Sequence, residues 1–335
     1  MNKALNSPKI TVLMPAYNAE QFITAAVSSI LAQEFSNFKL VILDDGSNDR
    51  TPEILASFAR LDDRITIYTN LSKTGILAAR DKLLSYVDTE YFAWMDADDI
   101  STPDRLRKQI DFLDNNAHID IVASSWSILG TDDKTIPYSD PEEIKAAMLV
   151  SNPFHNPVMM VRTASIQDLP FNYKDCGVKS ASDFAFVTFI KYRCLFSTLS
   201  DVLYFYRVHP NQESTANSRV QRDSLKLLMC RQFEDHGVSI PPEIRELIRT
   251  FPDEKTTIEQ ANEIGKVYTK MIVTNRDGRW YKEQFLKKHL GISYKRICSQ
   301  HGLKGLRLFI KHFGTTEVLK GKKFGFSFLA DCFKE

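Results

Sequence analysis

The sequence predicts an α/β protein with a mostly parallel central sheet, followed by a helical extension. Short apolar, β-branched runs alternate with helix-length segments over the first 125 residues, which is typical of right-handed crossovers in a parallel sheet. From about residue 217 the pattern becomes mostly helical. We therefore expect one α/β domain over residues 1–215 and a helical extension over residues 216–335.

Five strands are expected in the α/β domain, at residues 9–14, 38–43, 65–68, 91–95 and 119–124. The second run is apolar almost throughout, as in a strand that is covered on both faces. Pro15 is expected to end the first strand. Helices fill the intervals, and three of them carry start signals, namely Asn18 with Gln21 as a capping box, Thr51 with Pro52, and Thr102 with Pro103.

The composition is that of an ordinary globular protein, with 43% hydrophobic and 25% charged residues. The formal net charge of +1 gives no overall field that would favour nucleic acid as a partner. The five cysteines are widely spaced and form no CxxC pair, which fits reduced thiols. Residues 1–8 lack the apolar core of a signal peptide, and no apolar stretch is long enough to cross a bilayer. We expect a cytoplasmic protein, dissolved or resting on the inner face of the cell membrane.

Three carboxylates within four positions follow the fourth predicted strand: Asp96, Asp98 and Asp99. Like charges this close repel one another unless a cation lies between them. If the strand stays extended, Asp96 and Asp98 point to the same side, and hard oxygen ligands suit Mg²⁺ or Mn²⁺. The alternative is a solvated acidic turn that leads into a helix.

Polar residues also follow the first two predicted strands, namely Tyr17 and Asn18 after the first and Asp44 and Asp45 after the second. Ligands of parallel sheets bind beyond the carboxyl ends of the strands, so these side chains and the three acids are expected at one edge. Asn18 could instead be only a helix cap, and the two aspartates only a turn. Tyr17 could stack on a base or pack on the first helix.

The usual phosphate-binding loops are missing, because neither GxGxxG after the first strand nor GxxxxGK[ST] occurs. A metal ion held by the aspartates would then neutralise a phosphate group. An ionised aspartate after the second strand can accept hydrogen bonds from a nucleobase or a ribose hydroxyl.

Together, ITVLMPAYN at 10–18, DDGS at 44–47, and MDADD at 95–99 with PDRL at 103–106 resemble family 2 glycosyltransferases. The resemblance covers roughly residues 9–211 and implies the GT-A fold, a Rossmann-type sandwich. It also implies a nucleotide-sugar half over about residues 1–125 and an acceptor half over about 126–215.

The resemblance implies a nucleotide-sugar donor, often UDP-linked, and Mn²⁺ or Mg²⁺ as cofactor. The donor-binding residues that it implies are Pro15, Ala16, Tyr17, Asn18, Asp44, Asp45, Arg80 and Asp96. Asp98 falls at the position of the metal ligand and Asp96 at that of the ribose-side acid, while Asp99 is the acid most expected to be structural. Arg80 could equally be a solvated arginine on a helix face.

In the acceptor half, Asp183 falls at the position of the catalytic base, with Ser182 in place of the acid that usually precedes it. Its alternative role is a carboxylate that meets a helix dipole. His155 and Asn156 both compete for a histidine position that borders the family's active site. Downstream, the resemblance makes His209 a candidate metal or diphosphate contact, and Arg207 suits phosphate by its guanidinium geometry.

The resemblance, together with the order of these acids, implies an inverting transferase that moves a sugar to a hydroxyl of a glycan or lipid-linked acceptor, in cell-surface polysaccharide or lipopolysaccharide synthesis. The alternative is a non-catalytic protein that binds nucleotide-sugar or glycan on the same scaffold. A sugar-phosphate nucleotidyltransferase is a third reading, but the Gly-rich, basic first loop of such enzymes is absent after Met14.

The last segment mixes basic and apolar residues between about 304 and 329, including Lys304, Arg307, Lys311, Lys320 and Phe324. Such a segment can lie on an anionic membrane surface. The alternative is a terminal helix that docks its apolar face on the protein and keeps its lysines in water.

Overall fold

The computed structural model describes residues 7–135, 138–248, 254–318 and 322–333, with side chains omitted at 322–326. The chain divides into two compact units, one of residues Met1–Pro141 with Pro153–Ser218, the other of residues Glu142–Asn152 with Arg219–Glu335. We call them the sheet unit and the helical unit.

The sheet unit contains a mixed sheet. Its strands are β1 (Ile10–Ala16), β2 (Phe38–Asp44), β3 (Ile65–Thr69), β4 (Tyr91–Trp94), β5 (Ile100–Ser101), β6 (Ile121–Ile128), β7 (Lys134–Thr135), β8 (Met159–Arg162) and β9 (Phe196–Tyr206). Their order is β3-β2-β1-β4-β8-β6-β9-β5, and β7 pairs with β6. The first four strands are parallel to their neighbours in this set, as predicted.

Beyond β4 the sheet departs from the simple parallel pattern. The strand predicted fifth, now β6, does not lie beside β4, because β8 inserts between them and runs antiparallel to both. β6 and β9 are again parallel. The strands β3, β2, β1 and β4 therefore form a parallel part of the sheet with the strand order of a doubly wound fold. The strands from β8 onward extend this part with mixed direction.

Pro15 does not end the first strand, because β1 continues to Ala16 in register with β2. A proline lacks the N–H that a sheet ladder needs. β4 pairs with β1 only from Ile10 to Leu13, so the ladder on that side has already ended when the chain reaches Pro15.

The helices of the sheet unit are α1 (Ile23–Leu31), α2 (Thr51–Ala59), α3 (Ile76–Leu84), α4 (Arg105–Asn115), α6 (Ser182–Ile190) and α7 (Glu213–Ala216); α5 (Pro141–Ala147) begins at the boundary of the units. The predicted start signals are shifted. Asn18 does not cap α1, since Phe22 occupies the N-cap position. Thr51 is the first residue of α2 rather than its cap. Both side chains serve instead to join the loops that follow β1 and β2.

The helical unit contains α8 (Ser218–Glu234), α9 (Pro242–Arg245), α10 (Ile258–Gly278), α11 (Glu283–Cys298), α12 (Gly302–Phe313) and α13 (Lys322–Cys332). α10 starts with a capping box in which the Thr257 hydroxyl and the Gln260 side chain satisfy each other's backbone N–H groups.

Residues 142–152 belong to the helical unit, although the sequence places them in the acceptor half of the α/β domain. Most of their apolar side chains are buried, and the Gln232 amide of α8 donates to the Met148 carbonyl. The Lys145 ammonium lies 5.9 Å from the centre of the Tyr281 ring. These contacts tie the short segment to helices that follow much later in the chain.

Part of the basic C-terminal segment lies outside the described residues: Lys320 falls in a gap, and the side chains of Lys322, Lys323, Phe324 and Phe326 are not described. The prediction that residues 1–8 form no signal peptide also lies largely outside the described residues, which begin at residue 7. In the described ranges, none of the helices combines the length and the apolar character that a membrane crossing requires.

Candidate active site

The loops that follow β1 and β2 are joined by reciprocal hydrogen bonds. The Asn18 N–H donates to Ser47 Oγ over 2.9 Å, and Asn18 Oδ1 accepts from the Asn48 N–H over 3.0 Å. Asn18 has a φ of +48°, which asparagine tolerates better than most residues. The Ala19 N–H donates to the Thr51 hydroxyl. The two loops therefore form one fixed edge beyond the parallel strands.

The four predicted donor-binding residues of the first loop differ in what they can offer. The side chains of Pro15 and Ala16 are buried in β1, so only their backbone faces the edge. Tyr17 is 38% exposed, and the Lys73 ammonium lies 4.0 Å from the centre of its ring. Tyr17 thus presents an aromatic surface beside a cation.

Asp45 is buried and holds the segment of residues 70–75. Its carboxylate accepts hydrogen bonds from the N–H and hydroxyl of Thr74, the Asn70 amide and the Gly75 N–H. Burial alone would raise the pKa of Asp45, but the bonds from Thr74, Asn70 and Gly75 together hold it below its usual value. Asp45 is therefore an ionised anchor for this segment.

Asp44 is 1% exposed. Its Oδ1 accepts from the N–H and the hydroxyl of Ser47, which closes the turn after β2. Its Oδ2 is buried and has no hydrogen-bond partner within the described protein. In this structure Asp44 shapes the turn that carries Ser47 and Asn48.

Arg80 is 5% exposed, so the reading of a solvated helix-face arginine is excluded. Its Nη2 lies 3.1 Å from Asp96 Oδ1, and its guanidinium carbon lies over the Trp94 ring, 4.7 Å from the ring centre. With the Asn156 amide turned so that its oxygen faces donors, that oxygen accepts from Arg80 Nη1 over 3.0 Å and from the Asp183 N–H over 3.3 Å. Arg80 and Asn156 thus link Asp96 to Asp183.

The acidic triplet lies in a turn, because β4 ends at Trp94 and the strand does not continue through the acids. Each acid therefore meets a different partner. Asp98 Oδ2 lies 2.9 Å from His209 Nε2. Asp99 accepts from the Tyr204 hydroxyl and from the Arg207 N–H, each over 2.7 Å, and is 1% exposed.

Arg207 reinforces this arrangement, since its Nε donates to the Asp98 carbonyl over 2.8 Å. The segment that follows β9 is therefore bound to the acidic turn by both backbone and side-chain contacts. The structure brings Asp98, Asp99, Arg207 and His209 together in one cluster.

Asp183 is the second residue of α6, and its Oδ2 lies 3.5 Å from His155 Nδ1. His155 packs against the rings of Trp126 and Tyr206, and its side chain is 46% exposed. Ala181, just before the helix, has a φ of +60°, a left-handed conformation that is strained for alanine. The candidate base thus sits on a distorted helix start beside a half-exposed imidazole.

The pKa values show that the acids share one electrostatic environment. Burial raises the pKa of Asp96, and the charges of Asp98 and Asp183 raise it further against the pull of Arg80. Burial and the charge of Asp98 raise the pKa of Asp99 well above its usual value. For Asp183, burial acts upward, but the contact with His155 and the Phe184 N–H bring the pKa below the usual value.

Sequence reasoning missed the buried side chains that hold the acidic turn. Arg105 is fully buried and donates to the Trp94 and Pro157 carbonyls over 2.9 Å each, and burial lowers its pKa to about 10. Gln33 donates to the Thr102 carbonyl and accepts from the Leu106 N–H. Arg105 is part of the PDRL motif, but nothing in a single sequence shows that an arginine on a helix points inward.

The described residues supply only part of the ligand set that a divalent ion needs. In the part of the chain that the structure describes, no group of three or more His, Cys, Asp or Glu side chains is arranged around a metal position. Asp98 Oδ2 and His209 Nε2 lie 2.9 Å apart. Carboxylate oxygens suit Mg²⁺ and Mn²⁺, and imidazole nitrogens bind divalent first-row transition metals. An ion at this pair needs further oxygens, which phosphate groups commonly supply.

The region that matches a known family lies mostly in the sheet unit and includes residues 142–152 of the helical unit. The family described as Glycosyl transferase family 2 matches residues 11–168. A Haemophilus influenzae protein, an uncharacterized glycosyltransferase, is 33% identical over 235 residues, which is 66% of this chain and 72% of that protein. The Escherichia coli UDP-Glc:alpha-D-GlcNAc-diphosphoundecaprenol beta-1,3-glucosyltransferase WfgD is 32% identical over 143 residues, 43% of this chain and 55% of that enzyme.

Solved structures share the fold over most of the chain. S. aureus TarS 1–349 in complex with UDP-GlcNAc superposes with a TM-score of 0.57 at 19% identity, covering 93% of this chain and 91% of that one. The mannosyltransferase PcManGT from Pyrobaculum calidifontis, in complex with GDP-Man and Mn²⁺, gives a TM-score of 0.52 at 15% identity, with 98% and 86% covered. At these identities the similarity is one of fold.

Proposed function

Because this chain belongs to glycosyl transferase family 2 and has the GT-A fold, we propose that it transfers a sugar from a UDP-sugar to an acceptor hydroxyl with inversion. The observation that carries the proposal is the chain of contacts from Asp96 through Arg80 and Asn156 to Asp183, which joins the candidate base to the acidic turn. A base on one side of the anomeric carbon and a charge-stabilising cluster on the other are what a single displacement requires.

In the proposed reaction, the Asp183 carboxylate takes the proton of the acceptor hydroxyl while that oxygen attacks the anomeric carbon. The bond from this carbon to the nucleoside diphosphate breaks, and the diphosphate leaves from the opposite face. The pKa of Asp183 lies below its usual value, so the carboxylate is ionised at neutral pH and can take the proton as the acceptor oxygen attacks. His155 orients the carboxylate from its solvent side.

Asp98 and His209 would hold Mn²⁺ or Mg²⁺, which supplies Lewis-acid neutralisation of the leaving diphosphate. Arg207 adds a guanidinium beside the same cluster. We assign Asp96 to the ribose side of the donor and Asp99 to a structural role, because its oxygens are engaged by Tyr204 and Arg207. The Mn²⁺ in the PcManGT complex supports this choice of ion.

A UDP-sugar is the proposed donor, since UDP-GlcNAc occupies the similar TarS structure and the Escherichia coli relative is named for UDP-Glc. We assign the exposed ring of Tyr17 and the backbone of Pro15, Ala16 and Asn18 to the nucleoside. Asp45 acts there through the 70–75 segment that it holds, and Asp44 through its turn. The sugar itself is a hexose or an N-acetylhexosamine.

The proposed acceptor is a glycan or a lipid-linked glycan of cell-surface polysaccharide or lipopolysaccharide synthesis, on the cytoplasmic side of the membrane. The Escherichia coli relative, named for a diphosphoundecaprenol acceptor, supports a lipid-linked one. We also propose that the helical unit contacts anionic lipid through α12. Its exposed residues are Leu303, Lys304, Arg307, Ile310 and Lys311, and the helix contains no acidic residue.

Two variants test the reaction. Asp183→Asn removes the base and keeps the size of the side chain, so we expect sugar transfer to fall by at least 100-fold while UDP binding changes less than threefold.

Asp98→Ala removes a ligand of the ion, so we expect UDP binding to lose its dependence on Mn²⁺. Calorimetric titration with UDP and MnCl₂ measures binding, and release of UDP from UDP-sugars measures turnover.

Near-normal turnover of Asp183→Asn would refute the base assignment. Mn²⁺-dependent binding that is unchanged in Asp98→Ala would refute the metal assignment. If the unchanged protein binds UDP-sugars with Mn²⁺ but never turns them over with any acceptor or water, the non-catalytic binding function replaces the transferase.

A further inference from the structure

Phe22 lies in the loop between β1 and α1 and faces the segment that follows β9, and the proposed function gives it no role. Its ring centre is 4.5 Å from the centre of the His209 ring, with the two planes tilted by 39°. The guanidinium carbon of Arg207 lies 5.1 Å from the same ring centre. One half-buried phenylalanine therefore contacts both basic side chains of the cluster.

The loop that carries Phe22 is firmly anchored. The Glu20 N–H donates to Asp49, and Glu20 in turn accepts from the Arg50 N–H, each over 3.0 Å. The Ala19 carbonyl accepts from both the Phe22 and Ile23 N–H groups at the start of α1. The ring of Phe22 thus projects from a support that is tied to the β2 loop, on the nucleoside side of the site.

The segment with Arg207 and His209 has polar contacts with the acidic turn, through Asp98 and Asp99. Phe22 adds an aromatic contact to the same two basic side chains. An aromatic face attracts a guanidinium and packs against an imidazole ring, and a purely aliphatic side chain lacks the attraction for the guanidinium. The ring therefore restricts how far Arg207 and His209 can turn away from Asp98.

We propose that Phe22 is a positioning residue for the diphosphate and its metal ion, acting through Arg207 and His209. It connects the loop assigned to the nucleoside with the cluster assigned to the diphosphate, so that one aromatic ring sets the spacing between the two ends of the donor. This inference rests on the proposed function and assigns a residue to it that no motif identified.

The test compares Phe22→Leu, which keeps an apolar side chain, with Phe22→Tyr, which keeps the ring. Phe112→Leu is the matched control, because Phe112 is a half-buried phenylalanine of α4. Calorimetry measures UDP binding with MnCl₂, and water-proton relaxation measures Mn²⁺ binding alone. Thermal unfolding monitors the fold of each variant.

We expect Phe22→Leu to bind UDP with Mn²⁺ about tenfold more weakly, the size of a cation–π contribution converted to affinity. Phe22→Tyr and Phe112→Leu should stay within twofold of the unchanged protein, and all three variants should unfold at similar temperatures. Equal binding by Phe22→Leu and the unchanged protein would overturn the positioning role and leave the proposed function intact. An equal loss of UDP binding in Phe22→Tyr would also overturn it. If the unchanged protein binds neither UDP with Mn²⁺ nor Mn²⁺ alone, both proposals are overturned.

Discussion

Arg80 lies between Asp96, which is assigned to the donor side of the site, and the candidate base Asp183. It bonds to Asp96 directly and reaches the Asp183 backbone through Asn156. Its guanidinium lies over the Trp94 ring, and two different nitrogens of its fork bond the two partners. The resemblance implies a place for Arg80 near the donor, and its contacts in the structure support a role in setting the spacing between Asp96 and Asp183.

Arg80→Lys should therefore damage the site even though it keeps the charge. A lysine ammonium cannot bond Asp96 and Asn156 in one plane, and a buried group left unsatisfied costs about 1–3 kcal/mol. We expect a lower free energy of unfolding by about that amount in urea titrations, together with at least tenfold slower transfer. Lys82→Arg, on the same helix, is the control, and an Arg80→Lys variant of unchanged stability and rate would contradict the role.

Strain at the site also belongs to the residue scale. The described non-glycine residues with positive φ are Asn18, Ala181 and Arg279, and the first two border the nucleoside loop and the base. A left-handed alanine costs about 1–2 kcal/mol, which the surrounding contacts must offset. The sequence offers no sign of this at Ala181, because an alanine before a helix is unremarkable.

At the scale of elements, the segment of residues 70–75 depends on the loop after β2. Asp45 binds it by hydrogen bonds, and Gly46 lets it approach closely. Gly46 has a φ of +75°, and a Cβ there would lie 2.7 Å from the Ser72 carbonyl carbon. Any other residue at position 46 would push the segment away from the edge where the donor is proposed to bind.

Asp45→Asn should loosen this segment. The amide offers one acceptor oxygen where the carboxylate accepts from several donors, so we expect a loss of about 1–3 kcal/mol at pH 7 in urea unfolding. Because the pKa of Asp45 is lowered in the folded state, its stabilisation is present above the unfolded value near 3.8 and is lost as the pH falls through the folded value.

The unchanged protein should therefore lose stability below about pH 4 more steeply than Asp45→Asn, and the two unfolding curves should converge toward pH 2. Parallel curves over that range would show that the carboxylate does not carry the stabilisation. Asp63→Asn, at an exposed aspartate of the same unit, supplies the comparison for a carboxylate without this network.

At the scale of the whole molecule, charge is divided between the two parts of the chain. The helical unit, residues 142–152 with 219–335, contains 24 Lys and Arg against 16 Asp and Glu, whereas the sheet unit contains 19 against 26. The net charge of +1 hides this division. A basic helical unit is expected to be attracted to anionic lipid headgroups, at about 1 kcal/mol per basic residue near the surface.

The double change Lys304→Glu with Arg307→Glu tests the proposed lipid contact of α12. We expect the unchanged protein to co-sediment with vesicles that contain phosphatidylglycerol and not with purely zwitterionic ones, and the double variant to bind at least tenfold more weakly. Arg60→Glu with Lys134→Glu makes the same charge change at exposed positions of the sheet unit. If both double variants bind the phosphatidylglycerol vesicles equally well, the lipid contact does not depend on α12.

The sequence by itself determined the fold class and the family, because strand and helix patterns and the motifs at strand ends are local features. The bounds of the parallel strands β1, β2, β3 and β4 agree within a few residues with those that the apolar runs predict. The site residues of those motifs were also named from the sequence, although their roles in the reaction remain proposals.

Only the tertiary structure decided which side chain meets which. Asp98 contacts His209 across 111 positions, and Asp99 contacts Tyr204 across 105. The insertion of β8, the burial of Arg80 and Arg105, and the aromatic contact of Phe22 depend on the same long-range packing. Local propensity can place an acid at the end of a strand, but its partner and its pKa follow from groups that the fold brings from elsewhere in the chain.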